Sequence, residues 1–138
     1  MKLIKFFALS FLVVVGITSC KPNVSPEISD LYAEVMKVHD DVMPEMGTIH
    51  KLRKKLKAQI KNKDLDSSLK DKYLGMIESL DAADDDMMMW MKGFKLPEDQ
   101  SLEVQKKYLL KEKEKIAKVD ESMRSAIDTA KKILDENK

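Results

Sequence analysis

One histidine and three of the ten methionines have the best chemistry for a metal site in this 138-residue chain. Imidazole nitrogen and thioether sulfur suit Cu(I), a soft cation, and a histidine with a methionine can also hold haem. His39 and Met43 are four residues apart, as are Met87 and Met91, so each pair shares a face if its segment is helical. A turn near residues 61–67 would bring the two pairs to about the same level. The sequence therefore offers a copper or haem site built from these four residues.

Core packing is the alternative interpretation of the same residues, and the one we favour. Unbranched thioethers fill irregular gaps between helices, and Met87 follows the spacing of a buried helical face. On this interpretation His39 lies at the edge of the core. A di-iron carboxylate site fits less well than copper, because it needs Glu-x-x-His on two helices. The third position before each histidine holds Met36 or Gly47 instead.

Three consecutive aspartates, Asp84, Asp85 and Asp86, form the strongest acidic run. A calcium loop needs alternating oxygen ligands and a turn glycine, and this run has neither, so we expect a solvated helix face. Asp84 adjoins the apolar side of its predicted helix, and we expect it to pair with a lysine on another helix.

Catalytic arrangements have little support in the sequence. Both histidines, His39 and His50, fall in one predicted helix. No serine stands at a strand-to-helix elbow, and no glycine-rich phosphate loop occurs. We therefore expect a protein that is not an enzyme and, on the favoured interpretation, holds no cofactor.

The first twenty residues predict export and a lipid anchor. A start with Lys2 and Lys5, an apolar run over residues 6–17 and small residues before Cys20 are typical of a secretory signal. The run is shorter than the roughly 20 apolar residues that span a bilayer. The stretch "ITSC" resembles the end of bacterial lipoprotein signals. This resemblance implies a signal peptide over residues 1–19, cleavage before Cys20, and lipid attachment, palmitate included, to the cysteine.

Lipidation of Cys20 would leave no thiol, because it is the only cysteine. Two or three acyl chains anchor a protein firmly, so we expect a protein of the cell envelope held on a bacterial membrane. Lys21 does not look like an inner-membrane retention signal, which favours the outer membrane. From Cys20 onward the net charge is −1, since the leader holds two of the 25 basic residues and none of the 24 acidic ones. Near-neutrality and export both speak against nucleic acid as a partner.

Three stretches have apolar residues at every third or fourth position, which predicts three helices. These helices carry the candidate site residues. The first stretch runs over residues 28–60, after a capping Ser25 and a Pro26 suited to the first helical position. Pro44 falls inside it. Because a proline ring clashes with the carbonyl four residues back, we expect the first helix to kink near Pro44.

The second stretch covers residues 69–94 and stops at a glycine followed by a proline, and the third covers residues 102–133. Gln105 and Glu112 interrupt the apolar pattern of the third stretch, with Tyr108 as the expected filler. Helices of about 36, 29 and 37 residues with short links predict one all-α domain.

The predicted architecture is an antiparallel up-down-up three-helix bundle with coiled-coil-like composition. It would occupy residues 26–138, after the lipidated cysteine and a tether over residues 20–25. A long helical hairpin that dimerises into a bundle would give the same apolar pattern.

Leu74, Met88 and Met89 lie away from the predicted core, near Gly75 and Ala82. Exposed apolar strips often mark contacts, so these residues form a candidate surface for a protein partner or a homo-oligomer. Scattered surface methionines are the simpler interpretation.

The segment "HKLRKKLKAQIKNK", residues 50–63, is the most basic stretch. Its apolar members fall on the core side, which leaves the cations outside. A solvated face is the expected structure, and contact with anionic lipid or glycan is the alternative.

The segments "EVMKVHDDVMPEMGTIHKLRKKL" and "DDDMMMWMKGFKLP" resemble a group of small exported proteins of Bacteroidota-type bacteria that carry the label "viral A-type inclusion protein". The likeness extends to the helical tail, and it implies a helical envelope lipoprotein without implying an activity. The sequence as a whole predicts a membrane-anchored envelope lipoprotein with a non-enzymatic interaction or structural role. A copper- or haem-binding helical lipoprotein is the alternative.

Overall fold

The computed structural model describes residues 25–62 and 64–137. Regular structure in these residues is entirely helical, which confirms the all-α prediction. The four helices are α1 (Pro26–Val42), α2 (Glu45–Asn62), α3 (Ser67–Gly93) and α4 (Leu102–Glu136). No helix within the described part of the chain is long and apolar enough to span a membrane. The predicted signal peptide, the lipidation site Cys20 and the tether up to residue 24 lie outside the described residues.

Capping side chains fix where three of the helices begin. The Ser25 hydroxyl accepts the Ile28 N–H at 3.3 Å, and Pro26 occupies the first position of α1, as predicted. Asp66 caps α3 in the same way, and Ser101 caps α4. Each cap satisfies a backbone donor that has no partner inside its own helix.

Two residues, Met43 and Pro44, divide what the sequence predicted as one kinked helix into α1 and α2. Proline has no N–H, so the carbonyl of Asp40 loses its helical donor. The Met43 and Pro44 carbonyls instead accept N–H groups three residues ahead, each at 3.2 Å, which starts α2 with a tight turn. Met43 itself keeps right-handed helical backbone angles. The interruption is therefore short.

The buried residues of α1 and α2 keep one register across this interruption. They recur every seven positions and are at most 1 % exposed: Ile28, Val35, Val42, Ile49 and Leu56. Buried positions of α3 and α4 follow the same repeat, as in Tyr73, Leu80 and Met87 or Leu109, Ile116, Met123 and Ala130. A seven-residue apolar repeat keeps one face of a helix toward its neighbours. The α1–α2 segment, α3 and α4 accordingly pack together around a single core.

Gln105 and Glu112 do not interrupt this core face, contrary to the sequence prediction. They occupy the repeat as buried residues, 7 % and 3 % exposed. The Gln105 amide donates to the carbonyls of Glu98 and Gln100, at 3.3 and 2.9 Å. Buried polar groups persist where they are hydrogen-bonded, and Gln105 thereby holds the α3–α4 loop against the bundle. Tyr108, the expected filler, is half-buried.

Ion pairs connect the helices at the surface. Lys113 of α4 meets Glu34 of α1 at 2.6 Å, and Lys106 meets Glu27 one heptad earlier. Lys72, near the start of α3, lies 3.8 Å from Glu136 at the end of α4.

Candidate functional site

His39 lies against the indole of Trp90, with the two ring centroids 5.6 Å apart. Its side chain is 15 % exposed, and Nδ1 lies 2.9 Å from a carboxylate oxygen of Asp40. A carboxylate at one ring nitrogen orients the imidazole and leaves Nε2 as the nitrogen for a ligand. The helices α1 and α3 thus bring His39 to the segment that contains Met87 and Met91.

The methionines of the candidate metal site belong to the hydrophobic core. Met87 is fully buried, and Met43 and Met91 are partly buried against the same cluster. Trp90 is also buried, as the apolar spacing predicted. No group of three His, Cys, Asp or Glu side chains in residues 25–62 and 64–137 could hold a metal ion. A metal here would depend on one imidazole with thioether sulfurs.

A ring cluster, comprising His39, Trp90, Phe94, Tyr32 and Tyr108, occupies one end of the bundle. The ring centroids of Trp90 and Phe94 are 4.8 Å apart, and these two rings stack. The Phe94 centroid lies 5.7 Å from that of Tyr32 and 6.1 Å from that of Tyr108. His39 joins the cluster through its contact with Trp90. Aromatic pairs contribute about 0.5–1.5 kcal/mol beyond their buried area. The cluster therefore stabilises the packing of α1 and α4 on the end of α3.

The ring cluster has an open side toward the α3–α4 loop. A cleft of about 570 Å³ is lined there by Tyr32, Phe94 and loop residues 95–99. Tyr32 is 40 % exposed. The Tyr108 hydroxyl accepts the Lys95 N–H at 2.7 Å, which ties the loop to α4. The three charged residues that line the cleft, Lys95, Glu98 and Asp99, are exposed, so none of them is a buried charge in its floor.

A second cleft, of about 370 Å³, lies between α3 and α4 and is lined by Trp90, Met89, Glu112 and Lys115 among others. The Trp90 Nε1 atom is buried and has no acceptor among the described residues. A buried donor without a partner costs about 1–3 kcal/mol. Trp90 therefore contributes through its ring contacts and not through its N–H group.

Glu112 forms a charge pair with Lys115 on the wall of this cleft, with Nζ 2.6 Å from the carboxylate. The hydrogen bond to Glu112 raises the pKa of Lys115 above its usual 10.5, and the negative charge of Glu112 acts in the same direction. The small desolvation of Lys115 opposes both effects. The pair neutralises a carboxylate at a core position, so the arrangement is structural.

Arg53, and not a lysine, pairs with Asp84 across the bundle. Its guanidinium bonds to Asp81 and lies 3.8 Å from Asp84, so the partner type predicted from the sequence was wrong. A planar guanidinium can engage two carboxylates at once, which a compact ammonium does less well. Asp85 and Asp86 are exposed, as predicted for a solvated face.

Leu74, Met88 and Met89 are exposed, at 43 %, 39 % and 61 %. Leu74 and Met88 are fourteen residues apart, which is about 21 Å along a helix. Met89 lines the α3–α4 cleft beside Trp90 instead. The three side chains therefore do not form one compact patch, and the partner surface stays a prediction.

No family model, no curated protein and no solved structure matches the chain. The roles of the site residues are therefore inferred from the contacts that they make within the chain.

Proposed function

We propose that the protein is a lipid-anchored lipoprotein of the bacterial envelope that acts through contacts and not through catalysis. The supporting observation is the short separation in sequence between the predicted lipidation site and the first helix. Cys20 closes a lipoprotein-like signal, and Ser25 already caps α1. Five residue steps span at most about 18 Å. A lipid on Cys20 would hold the bundle next to its membrane, with the outer membrane as the favoured location.

The role of the chemically capable side chains supports a non-enzymatic function. His39 packs in the ring cluster, Met87 lies in the core, and Glu112 is neutralised by Lys115. Each of these groups is engaged in stabilising the bundle. The interaction role therefore falls to the outer surfaces, for a protein partner or a second copy and not for nucleic acid.

We also infer an up-down-up course for the helices. The pairs Glu27–Lys106 and Glu34–Lys113 advance together along both chains, which supports a parallel course of α1 and α4. The contacts Lys72–Glu136 and Phe94–Tyr108 advance in opposite directions, which supports an antiparallel course of α3 and α4.

Substitution of Cys20 tests the anchor. We expect the wild-type protein in the membrane fraction of its host, released by detergent but not by high salt, and Cys20→Ser in the soluble fraction or retained as a precursor. Asn23→Ser, a change in the tether that leaves the cysteine intact, is the control and should behave as wild type. A mature Cys20→Ser chain that stays on the membrane in high salt, as wild type does, would contradict the proposal.

Crosslinking in intact cells tests the interaction role. Met88→Lys with Met89→Lys should retain helicity, since both side chains are exposed, and should lose a crosslinked partner or dimer. Leu102→Lys with Leu110→Lys changes two exposed apolar residues of α4 and is the matched control. Equal crosslinking in both variants and wild type would remove this surface from the proposal.

Copper or haem binding is the second candidate function, favoured by one observation. The His39 imidazole is oriented by Asp40 and lies beside the segment with Met87 and Met91, while Met43 packs on the same core. Titration of the protein with Cu(I) under a competing chelator, and with haem, tests it. Stoichiometric binding that is lost in His39→Ala and kept in His50→Ala would favour this candidate. Absence of binding in wild type would exclude it.

A further inference from the structure

The surface charge of the first two helices changes sign between them. α1 carries five acidic residues and one lysine, for a net charge of −4, without counting His39. α2 carries six basic residues and one acidic residue, for a net charge of +5, without counting His50. The chain as a whole is close to neutral at +1. The positive charge of α2 is therefore a local feature.

The lysines of α2 are unpaired, in contrast to many lysines elsewhere. Lys37, Lys106 and Lys113 each meet a carboxylate on α1. Within the described residues, no ion pair or hydrogen bond involves the side chain of any lysine of α2. These lysines are Lys51, Lys54, Lys55, Lys57 and Lys61, and all five are exposed. Their charge is available to a partner.

Four of these lysines share one side of the helix. Lys51, Lys54, Lys57 and Lys61 are spaced by three, three and four residues, which places them in one band along the helix. We call them the α2 lysine face. The large apolar residues of α2 are directed into the bundle, as buried Ile49 shows. The α2 lysine face therefore offers charge without an apolar side chain to insert.

We propose that the α2 lysine face binds the surface of an anionic lipid bilayer through its headgroup phosphates. Clusters of about four to eight Lys or Arg on a helix recognise anionic membranes, and each such residue strengthens binding about fivefold. Because no apolar group inserts, the binding is electrostatic and weakens as salt shortens the screening length.

Two other occupants fit the face less well. A polysaccharide site usually offers aromatic rings on which sugars stack, and α2 has no aromatic residue apart from His50. A second copy would have to present acidic side chains, either the exposed Asp85 and Asp86 of α3 or those of its acidic α1. Glu27 and Glu34 of that helix are already paired with lysines of α4, so the complementary charge is partly used.

Vesicle co-sedimentation tests the proposal with a chain of residues 25–138. The buried core runs from Ile28 to Ile133, so this chain contains all of it, and circular dichroism checks its helicity. The chain lacks Cys20, so the result does not depend on the lipid anchor. We expect binding to equimolar phosphatidylcholine and phosphatidylglycerol at low salt, and none to phosphatidylcholine alone.

Two triple variants with the same change in net charge separate the face from overall charge. Lys51→Gln, Lys54→Gln and Lys57→Gln should weaken binding on the order of a hundredfold. The control set neutralises three exposed lysines of α4: Lys107→Gln, Lys111→Gln and Lys118→Gln. It should change binding far less.

Three results would overturn the proposal. The first is that wild type does not bind the anionic vesicles. The second is that the two triple variants weaken vesicle binding equally, and the third is that the α2 variant binds the vesicles as well as wild type does. If the α2 variant instead abolished a dimer seen by analytical ultracentrifugation and left vesicle binding intact, the face would belong to a second copy.

Discussion

Two halves of the bundle use the same seven-residue repeat for different chemistry. The α1 half consists of α1, the end of α3 and the beginning of α4, and its core includes the ring cluster and two polar residues, Gln105 and Glu112. The α2 half consists of α2, the beginning of α3 and the end of α4. Its buried residues are largely aliphatic: Ile49, Leu52, Leu56, Tyr73, Met76, Ile77, Leu80, Met123, Ala126, Ile127, Ala130 and Ile133.

The two halves differ in the positions whose side chains do more than fill the core. In the α1 half, Gln105 fixes the α3–α4 loop and Glu112 requires Lys115 as a partner. An aliphatic core needs neither hydrogen-bond acceptors nor a countercharge. The unpaired lysines of the α2 half lie on its outer surface. The core of the α1 half therefore includes directional contacts, whereas the directional contacts of the α2 half, such as Arg53 with Asp81, lie outside its buried core.

The largest expected effect comes from removing the centre of the ring cluster. Trp90→Ala should lower the free energy of unfolding by about 4 kcal/mol, because a buried indole and its ring contacts are lost. Trp90→Phe should cost much less, since it keeps the stacking and removes an N–H group without a partner. Urea unfolding followed by circular dichroism measures both. A similar loss in the two variants would contradict the attribution of this stability to ring stacking.

Moving a carboxylate between the halves tests the role of Lys115. Met123→Glu places a carboxylate at a fully buried position of the α2 half and should lower the free energy of unfolding by about 3 kcal/mol. The reverse change, Glu112→Met, should be neutral or raise it by about 1 kcal/mol, because an aliphatic side chain needs no partner. Chemical unfolding of both variants gives the comparison. A large loss in Glu112→Met would show that the pair contributes specific stability.

Glycine-to-alanine changes should be mildly stabilising in the α2 half. An alanine Cβ at Gly47 or Gly75 meets no atom within 4 Å, and neither glycine has a positive φ. Each change should raise the free energy of unfolding by about 0.8 kcal/mol through reduced entropy of the unfolded chain and better helix propensity. Thermal unfolding checks the result. A loss of stability at Gly47 alone would indicate that the Met43–Pro44 interruption needs a flexible neighbour.

The smallest expected effect is a pH dependence in the α1 half. The pKa of Lys115 is raised because Glu112 accepts its hydrogen bond, so the folded state favours the charged lysine. The stabilisation is complete below the unfolded value of 10.5 and is lost as pH rises through the folded value. It is small, since the Lys115 side chain is 51 % exposed and screened by solvent. The contribution of the charge pair to the stability difference between wild type and Lys115→Met should therefore be small at neutral pH, and it should vanish in strong alkali, where Glu112 lacks a charged partner in both proteins. A difference that persists there would not come from the charge pair.

Local rules were enough to predict much of the fold. The cap at Ser25, the position of Pro26 and the buried face with Met87 and Trp90 follow from residue type and spacing alone. The burial of Gln105 does not, because it depends on loop carbonyls that only the tertiary structure brings near.

The candidate site was harder to predict, for the same reason. Choosing Arg53 over a lysine for Asp84 requires the relative heights of two helices, and so does the position of Met89 in the α3–α4 cleft. Pro44 indicates where the first helix is divided, so this division could have been predicted. The apolar register continues across Pro44, however, and this continuity favoured a single kinked helix. The rings of Tyr32 and His39, seven residues apart, were the available signal for the ring cluster.

The mass of the mature protein, measured on material extracted from the cells that make it, tests the central proposal most directly. We predict a chain that begins at Cys20 and carries a diacylglyceryl group on the cysteine sulfur. A chain that retains residues 1–19, or one that begins at Cys20 with an unmodified thiol, would contradict the lipid anchor and with it the proposed envelope function.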